Sequence, residues 1–499
     1  VLPMAVSKRV ILISFLILSL LAGCMPPDMD LGWEDDPYEQ ELTPEPTPTE
    51  VMPTPLPTRE PFLPGTLVDY TAQTGDTLEA LAVRFNTTVQ EIREANPIIP
   101  NDTTTMPPGM PMQIPIYYQP AWGTPYQIIP DSLFINGPAQ IGFDAGDFVR
   151  EQPGWLKNYK GYFDGKNLSG GELVAAIGEQ YSVSPRLLLA LVEYYAGGLT
   201  DPEPRVDVDR YPLGYRSSTH QGLTNQLIWT ANKLNNGYYA FRLGRLTSLD
   251  LPDGRLVVPD PWQNAATVAL HNLFTLTNTP QSFDLAVSGE GFARTYRELF
   301  GDPWANVEPH IPASLHQPVL TLPFRPGHAW AYTGGPHTGW GTGLPFSAVD
   351  FAPPSTQSGC AAASEPATAV ADGVIARRGD ASLWLDLDGD GDIRTGWVVF
   401  YLHLANSSLA PLGKEVKAGD PLGLPSCEGG SATGTHVHIA RMYNGEWIPA
   451  GSGVLAFQMD GWVAVDGEEP YKGFLVRYGE EVRASTGSDR MSHISASAP

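Results

Sequence analysis

Five of the ten histidines fall within residues 320 to 450, namely His328, His337, His403, His436 and His438. In GTHVHIA, His436 and His438 alternate with Val437 at the period of a strand, so both imidazoles project from one sheet face. Roughly 6 to 7 Å apart at the backbone, they can both reach one metal, or one can bind while the other handles protons. His403 lies in the apolar run VVFYLHLA, a second strand in which Tyr401 and His403 share a face. In GGPHTGWGTGLPFSAVDFAPP, Asp350 follows His337 by thirteen residues. Two histidines and an aspartate leave a fourth tetrahedral position for water, as in catalytic zinc sites, where the pKa of that water falls toward about 7. His328 precedes an Ala-Trp-Ala run and is expected to be packed or at the surface rather than a ligand.

Two further groups carry chemistry. LDLDGDGDIRTGW spaces Asp386, Asp388, Asp390, Gly391 and Asp392 like the start of a calcium loop, yet its twelfth position is Trp397 instead of a bidentate Glu. A tight acidic turn between strands explains it equally well, so calcium stays an open alternative there. The chain has three cysteines. Cys360 and Cys427 are an even pair in a chain expected to be exported, which favours a disulfide over a zinc site because neither lies in a Cys-x-x-Cys pair. Such a bridge would join the segments that carry Asp350 and His436.

These groups must be held by elements spread along 499 residues, too many for one core. Lys8 and Arg9 precede an apolar run from Val10 to Leu21 that ends Ala22, Gly23, Cys24. That pattern predicts a signal peptide over 1–24, and its ending resembles the bacterial lipobox, which implies a membrane anchor through lipidated Cys24. Residues 25–65, with TPEPTPTEVMPTPLPT, are too polar and proline-rich for a core and form an extended linker, on the order of 100 Å at about 3.1 Å per residue. Over 66–118 the pattern is strand, helix, helix, strand, with capping boxes expected at Asp76 with Glu79 and at Thr88 with Glu91. From its Gly-Asp-Thr-Leu opening to the Pro-Gly before its last strand, this segment resembles a LysM module, which implies binding to peptidoglycan glycans.

Residues 119–168 show no periodicity and form a connecting segment, whereas 169–305 turn helical. Ser184 as N-cap and Pro185 at the first position start a helix whose run Leu187 to Val192 is apolar all round, and Leu223 to Leu234 and Ala265 to Leu276 are further helices. The run YSVSPRLLLALVEYYAGGLT is similar to the first catalytic helix of lysozyme-like domains, but Tyr195, Ala196 and Gly197 stand where that pattern ends in Glu-Ser-Gly. A phenol with pKa near 10 cannot protonate a glycosidic oxygen, so this domain is expected to be non-catalytic.

Residues 320–450, within a metallopeptidase domain expected over 306–481, resemble the LytM or lysostaphin-type zinc endopeptidases. GGPH with VDF, YLHL and GTHVHI occur in that family's order, and the long His337 to Asp350 spacing matches its beta-lytic branch. The resemblance implies that His337, Asp350 and His438 bind zinc, while His403 and His436 lie beside the water that attacks. The fold class expected is multidomain α+β, with a βααβ LysM module, a helical lysozyme-like middle and an antiparallel β-rich peptidase, followed by a disordered tail over 482–499. The function expected is a peptidoglycan endopeptidase held at the wall. The alternatives are a non-catalytic wall scaffold or amidase activator, and a general secreted protease. A formal charge of −25 excludes a basic face for phosphate backbones, so nucleic acid is not a partner.

Overall fold

The computed structural model describes residues 61–117, 122–251, 253–355, 357–451, 453–487 and 489–496. The expected signal peptide, Cys24 and most of the linker lie outside the described residues. Among the described residues, no helix is long and apolar enough to cross a membrane.

Strand β1 (Thr66–Thr71) pairs antiparallel with β2 (Pro111–Ile116), with helices α1 (Leu78–Arg84) and α2 (Val89–Ala95) between them in the chain. Phe85, Ile92 and Ile114 sit at the centre of their common core. The Thr88–Glu91 capping box forms as expected. At α1 the expectation fails by one residue, because Thr77 is the N-cap and accepts from the Ala80 amide. Asp76 instead turns inward, accepting from the Tyr70 hydroxyl at 2.5 Å and from Arg84 at 2.7 Å. A buried carboxylate needs such donors, and this pairing outweighs a cap in water.

Helices α3 (Gly170–Tyr181), α4 (Pro185–Ala196), α5 (Leu223–Arg242), α6 (Ala265–Thr277) and α7 (Phe292–Phe300) build the middle. Ser184 caps α4 and Pro185 occupies its first position, where a missing N–H costs nothing. Residues from Leu187 to Val192 are buried all round, as their apolar run requires. The 119–168 segment contributes Ile128, Ile129, Phe134 and Leu156 to the same core. Tyr195 hydrogen bonds to Thr277 at 2.7 Å and Asn278 at 2.8 Å, and burial pushes its phenol above the ordinary value. Glu193 accepts from the Leu199 and Thr200 amides at 2.8 and 3.2 Å, so its carboxylate is used to tie the turn after α4.

The C-terminal part is a nine-stranded antiparallel sheet. Its strands are β3 (Ala329–His337), β4 (Ala348–Ala352), β5 (Gly373–Gly379), β6 (Ser382–Asp386), β7 (Trp397–Leu402), β8 (Glu415–Val416), β9 (Val437–Tyr443), β10 (Glu446–Trp447) and β11 (His493–Ser495). The order is β8-β5-β6-β7-β9-β4-β3-β11, with β10 paired to β9. Strand alternation divides the two faces cleanly. Val349, Val399, Tyr401 and Ile439 enter a core shared with a four-stranded sheet over 458–483, while Ala348, Phe400, Ala440 and Met442 join the core of the middle helices. The helices therefore cover part of one sheet face. Residues 493–495, expected in a disordered tail, pair with β3, and Ile494 and Ala496 are buried there, which offsets the entropy of ordering them.

Candidate metal centre

Asp350 on β4 lies directly opposite His438 on β9 in the sheet register, and His337 closes β3 next to them. All three point to the face shared with the middle helices, at the end the helices leave open. His337 Nε2 is 3.0 Å from His438 Nδ1, and Asp350 Oδ1 is 3.3 Å from each. The remaining nitrogens face carbonyls: His337 Nδ1 donates to Gly335 O at 2.8 Å and His438 Nε2 to Gly339 O at 3.0 Å. A carbonyl only accepts, so in the neutral rings His337 Nε2 and His438 Nδ1 are bare lone pairs. Two lone pairs and a buried carboxylate oxygen without a hydrogen-bond donor thus converge on one point. That donor set suits a divalent cation of the zinc type.

His403 and His436 border the same point. Their ring centroids are 4.6 Å apart, and His436 Nε2 is 3.9 Å from Asp350 Oδ2. Each spends Nδ1 on a carbonyl, Glu428 O at 2.7 Å for His403 and Gly434 O at 2.8 Å for His436, which leaves Nε2 for the cleft. Burial, with His436 nearby, lowers His403 to about 4. Burial also lowers His438, and although burial raises Asp350, the neighbouring imidazoles of His337 and His436 outweigh it and hold the carboxyl well below its usual range.

The face expected for His403 is corrected by the structure. Tyr401 points into the opposite core, where its hydroxyl accepts from the Val370 amide at 2.9 Å. Strand β7 stops at Leu402, and His403 adopts φ of 63°, a left-handed conformation that breaks alternation and turns its ring toward His436. Such strain in a non-glycine residue is typical of functional positions. Cys360 and Cys427 form a disulfide. It ties the Gly359 to Ala361 segment, whose carbonyls hold Thr435 beside His436, to Glu428, whose carbonyl holds His403.

Sequence reasoning missed Tyr471. Its ring stacks on His337 at 4.0 Å between centroids and 22° between planes, and no local pattern singles it out. His328 stands apart as expected, 44% exposed and 3.0 Å from Glu365. Asp386, Asp388 and Asp390 draw together, and burial pushes Asp386 up to about 6. Their oxygens are taken by turn amides and Thr395, and Arg394 pairs with Asp392 at 2.6 Å. The candidate metal centre opens on a cleft of about 900 Å³ whose walls include Gly359, Ala362, Ser431 and Gly434, all small.

Comparison with known proteins shows a LysM module and a similarity to a protease over much of the rest of the chain. Residues 70–115 match the LysM domain family, and residues 127–314 match the family described as LasA, N-terminal domain. The chain is 26% identical over 343 residues to Protease LasA of Pseudomonas aeruginosa, strain UCBPP-PA14, which covers 64% of this chain and 74% of that protein. Protease LasA of strain PAO1 gives the same figures. Among solved structures, the M23 metalloprotease pseudoalterin from deep-sea is 24% identical with a TM-score of 0.28, covering 34% of this chain and 96% of that one. The catalytic domain of lysostaphin from Staphylococcus simulans is 23% identical with a TM-score of 0.17, covering 25% and 88%.

Proposed function

We propose that this protein is a zinc endopeptidase that cuts the peptide part of peptidoglycan, held at the wall by its LysM module and tethered to a membrane through lipidated Cys24. One observation carries the reading: His337 Nε2, Asp350 Oδ1 and His438 Nδ1 face one another at 3.0 to 3.3 Å with no proton donor between them. His337, Asp350 and His438 would hold the zinc, which would supply Lewis acidity toward a scissile carbonyl and a water. The protein's own groups supply the rest. His403 and His436 offer Nε2 lone pairs to the cleft, so either can take a proton from an attacking water and return it to the leaving amine. The small residues of the walls admit a peptide backbone closely. Glycan binding by the LysM module would raise the local concentration of stem peptides, and the resemblance to Protease LasA over 64% of the chain supports a peptidase over a scaffold.

The test is metal analysis of the purified chain together with hydrolysis of purified walls, before and after chelation. The expected result is about one zinc per chain, loss of hydrolysis on chelation and its return with zinc. In Asp350→Asn and His438→Ala, zinc should bind at least tenfold more weakly. A chain that solubilises no wall peptides but still pulls down with walls would instead support the scaffold reading. Release of peptides from casein at a rate equal to that from walls would support the general protease.

A further inference from the structure

The twelve residues between His337 and Asp350 carry a loop, Gly339 to Pro345, that is gripped from the middle domain. Asn232 and Asn236, one turn apart on α5, each present a carboxamide to it. Asn232 Nδ2 donates to Thr342 Oγ1 at 2.6 Å, while its Oδ1 accepts from the Thr342 amide at 2.8 Å. Asn236 Nδ2 donates to Thr342 O at 3.0 Å, while its Oδ1 accepts from the Leu344 amide at 2.6 Å. The two side chains thereby pair with the loop backbone much as a neighbouring strand would. The glycines of GWGTG permit this. Gly341 and Gly343 have φ of 79° and 85°, and a Cβ on them would lie 2.4 Å from Asn232 Oδ1 and 2.1 Å from Asn236 Oδ1. Just before them in the chain, the Trp340 ring lies against those of Tyr181 of α3 and Phe400 of β7, with centroids at 6.5 and 5.7 Å.

The loop so fixed ends at Gly339, whose carbonyl accepts from His438 Nε2. That bond decides which nitrogen of His438 carries the proton and holds Nδ1 toward Asp350 and His337. We infer that Asn232 and Asn236 are positioning residues for the metal centre: by clamping the loop they keep Gly339 O in place to orient His438. None of the middle domain's described residues lines the cleft, so that domain can support the site without filling it. This inference rests on the proposed zinc reading.

The experiment uses the full chain and measures zinc affinity by competition with a chromophoric chelator, alongside thermal unfolding. In Asn232→Ala/Asn236→Ala, a folded protein is expected to bind zinc about tenfold more weakly, within the range for loss of an outer partner of a ligand. On a His438→Ala background the same pair of substitutions should change affinity no further, because their effect passes through that ring. A variant set acting from the loop side, Gly341→Ala and Gly343→Ala, should reproduce the loss with the helix intact, which keeps the test valid if the double variant does not fold. Wild-type affinity in a folded double variant, or an effect that adds fully to His438→Ala, would overturn the inference. If the wild-type chain binds no zinc, the proposed function itself fails, an outcome distinct from either of these.

Discussion

The contact between the middle helices and the sheet has a charged centre, and Glu446→Gln tests it. Glu446 on β10 accepts from Arg242 Nη2 of α5 at 2.9 Å, from the Tyr238 hydroxyl at 2.9 Å and from His310 Nε2 at 2.6 Å. The Arg242 and Glu446 side chains are 6% and 9% exposed, and Arg242 also donates to Thr74 O of the LysM module. Burial alone would raise the Glu446 carboxyl, but Arg242 and His310 outweigh it and hold it at about 2 against 4.5. That difference of about 2.5 is worth about 3 kcal/mol. A second route agrees: breaking a buried pair by removing one charge costs about 3 to 5 kcal/mol, here reduced because Asp131 remains 3.9 Å from Arg242. Because the folded carboxyl is depressed, its contribution is complete above the unfolded value near 4.5 and is lost as pH falls toward about 2. Urea unfolding followed by tryptophan fluorescence should show Glu446→Gln less stable by about 3 kcal/mol at pH 7, with the gap closing below pH 4. A loss under about 0.5 kcal/mol at pH 7 would refute the reasoning, since it would mean that the charge is solvated or unpaired.

Cys360→Ser with Cys427→Ser opens a loop spanning 67 residues, for which chain entropy predicts a loss of about 4 kcal/mol, and wall hydrolysis should fall further than Tm alone explains because the loops beside His403 and His436 are freed. His271 is buried beside Phe283, and desolvation lowers it to about 4. Its stabilising contribution is complete above the unfolded value near 6.5 and is lost as pH falls toward 4, so His271→Leu should abolish an acid limb of about 3 kcal/mol in the stability profile between those values. Tyr471→Ala removes the ring stacked on His337 and should weaken zinc binding several-fold, while Tyr471→Phe keeps the stack and should bind as wild type; equal loss in both would assign the role to the hydroxyl.

Much of the site was legible because strand periodicity and ligand type are local properties. GTHVHIA placed His436 and His438 on one face, and that face is where they lie. The helix starting at Ser184 and Pro185 was legible for a similar reason, since capping chemistry acts over three or four residues. The same local logic misplaced His403, because alternation holds only while φ stays extended and this residue leaves the strand at φ of 63°. It also chose Asp76 as a cap, where the decisive partners were Tyr70 and Arg84 across a core.

By itself the sequence determined three separated segments whose residue types could make a cation site, and the place of the LysM module ahead of them. Only the tertiary structure decided that Asp350 stands across from His438, that Tyr471 stacks on His337, and that the middle helices cover one end of the sheet face carrying the site. The reason is physical. Periodicity and capping are written in neighbouring residues, whereas register, stacking and the grip of Asn232 and Asn236 on a distant loop exist only once burial has brought remote segments into contact.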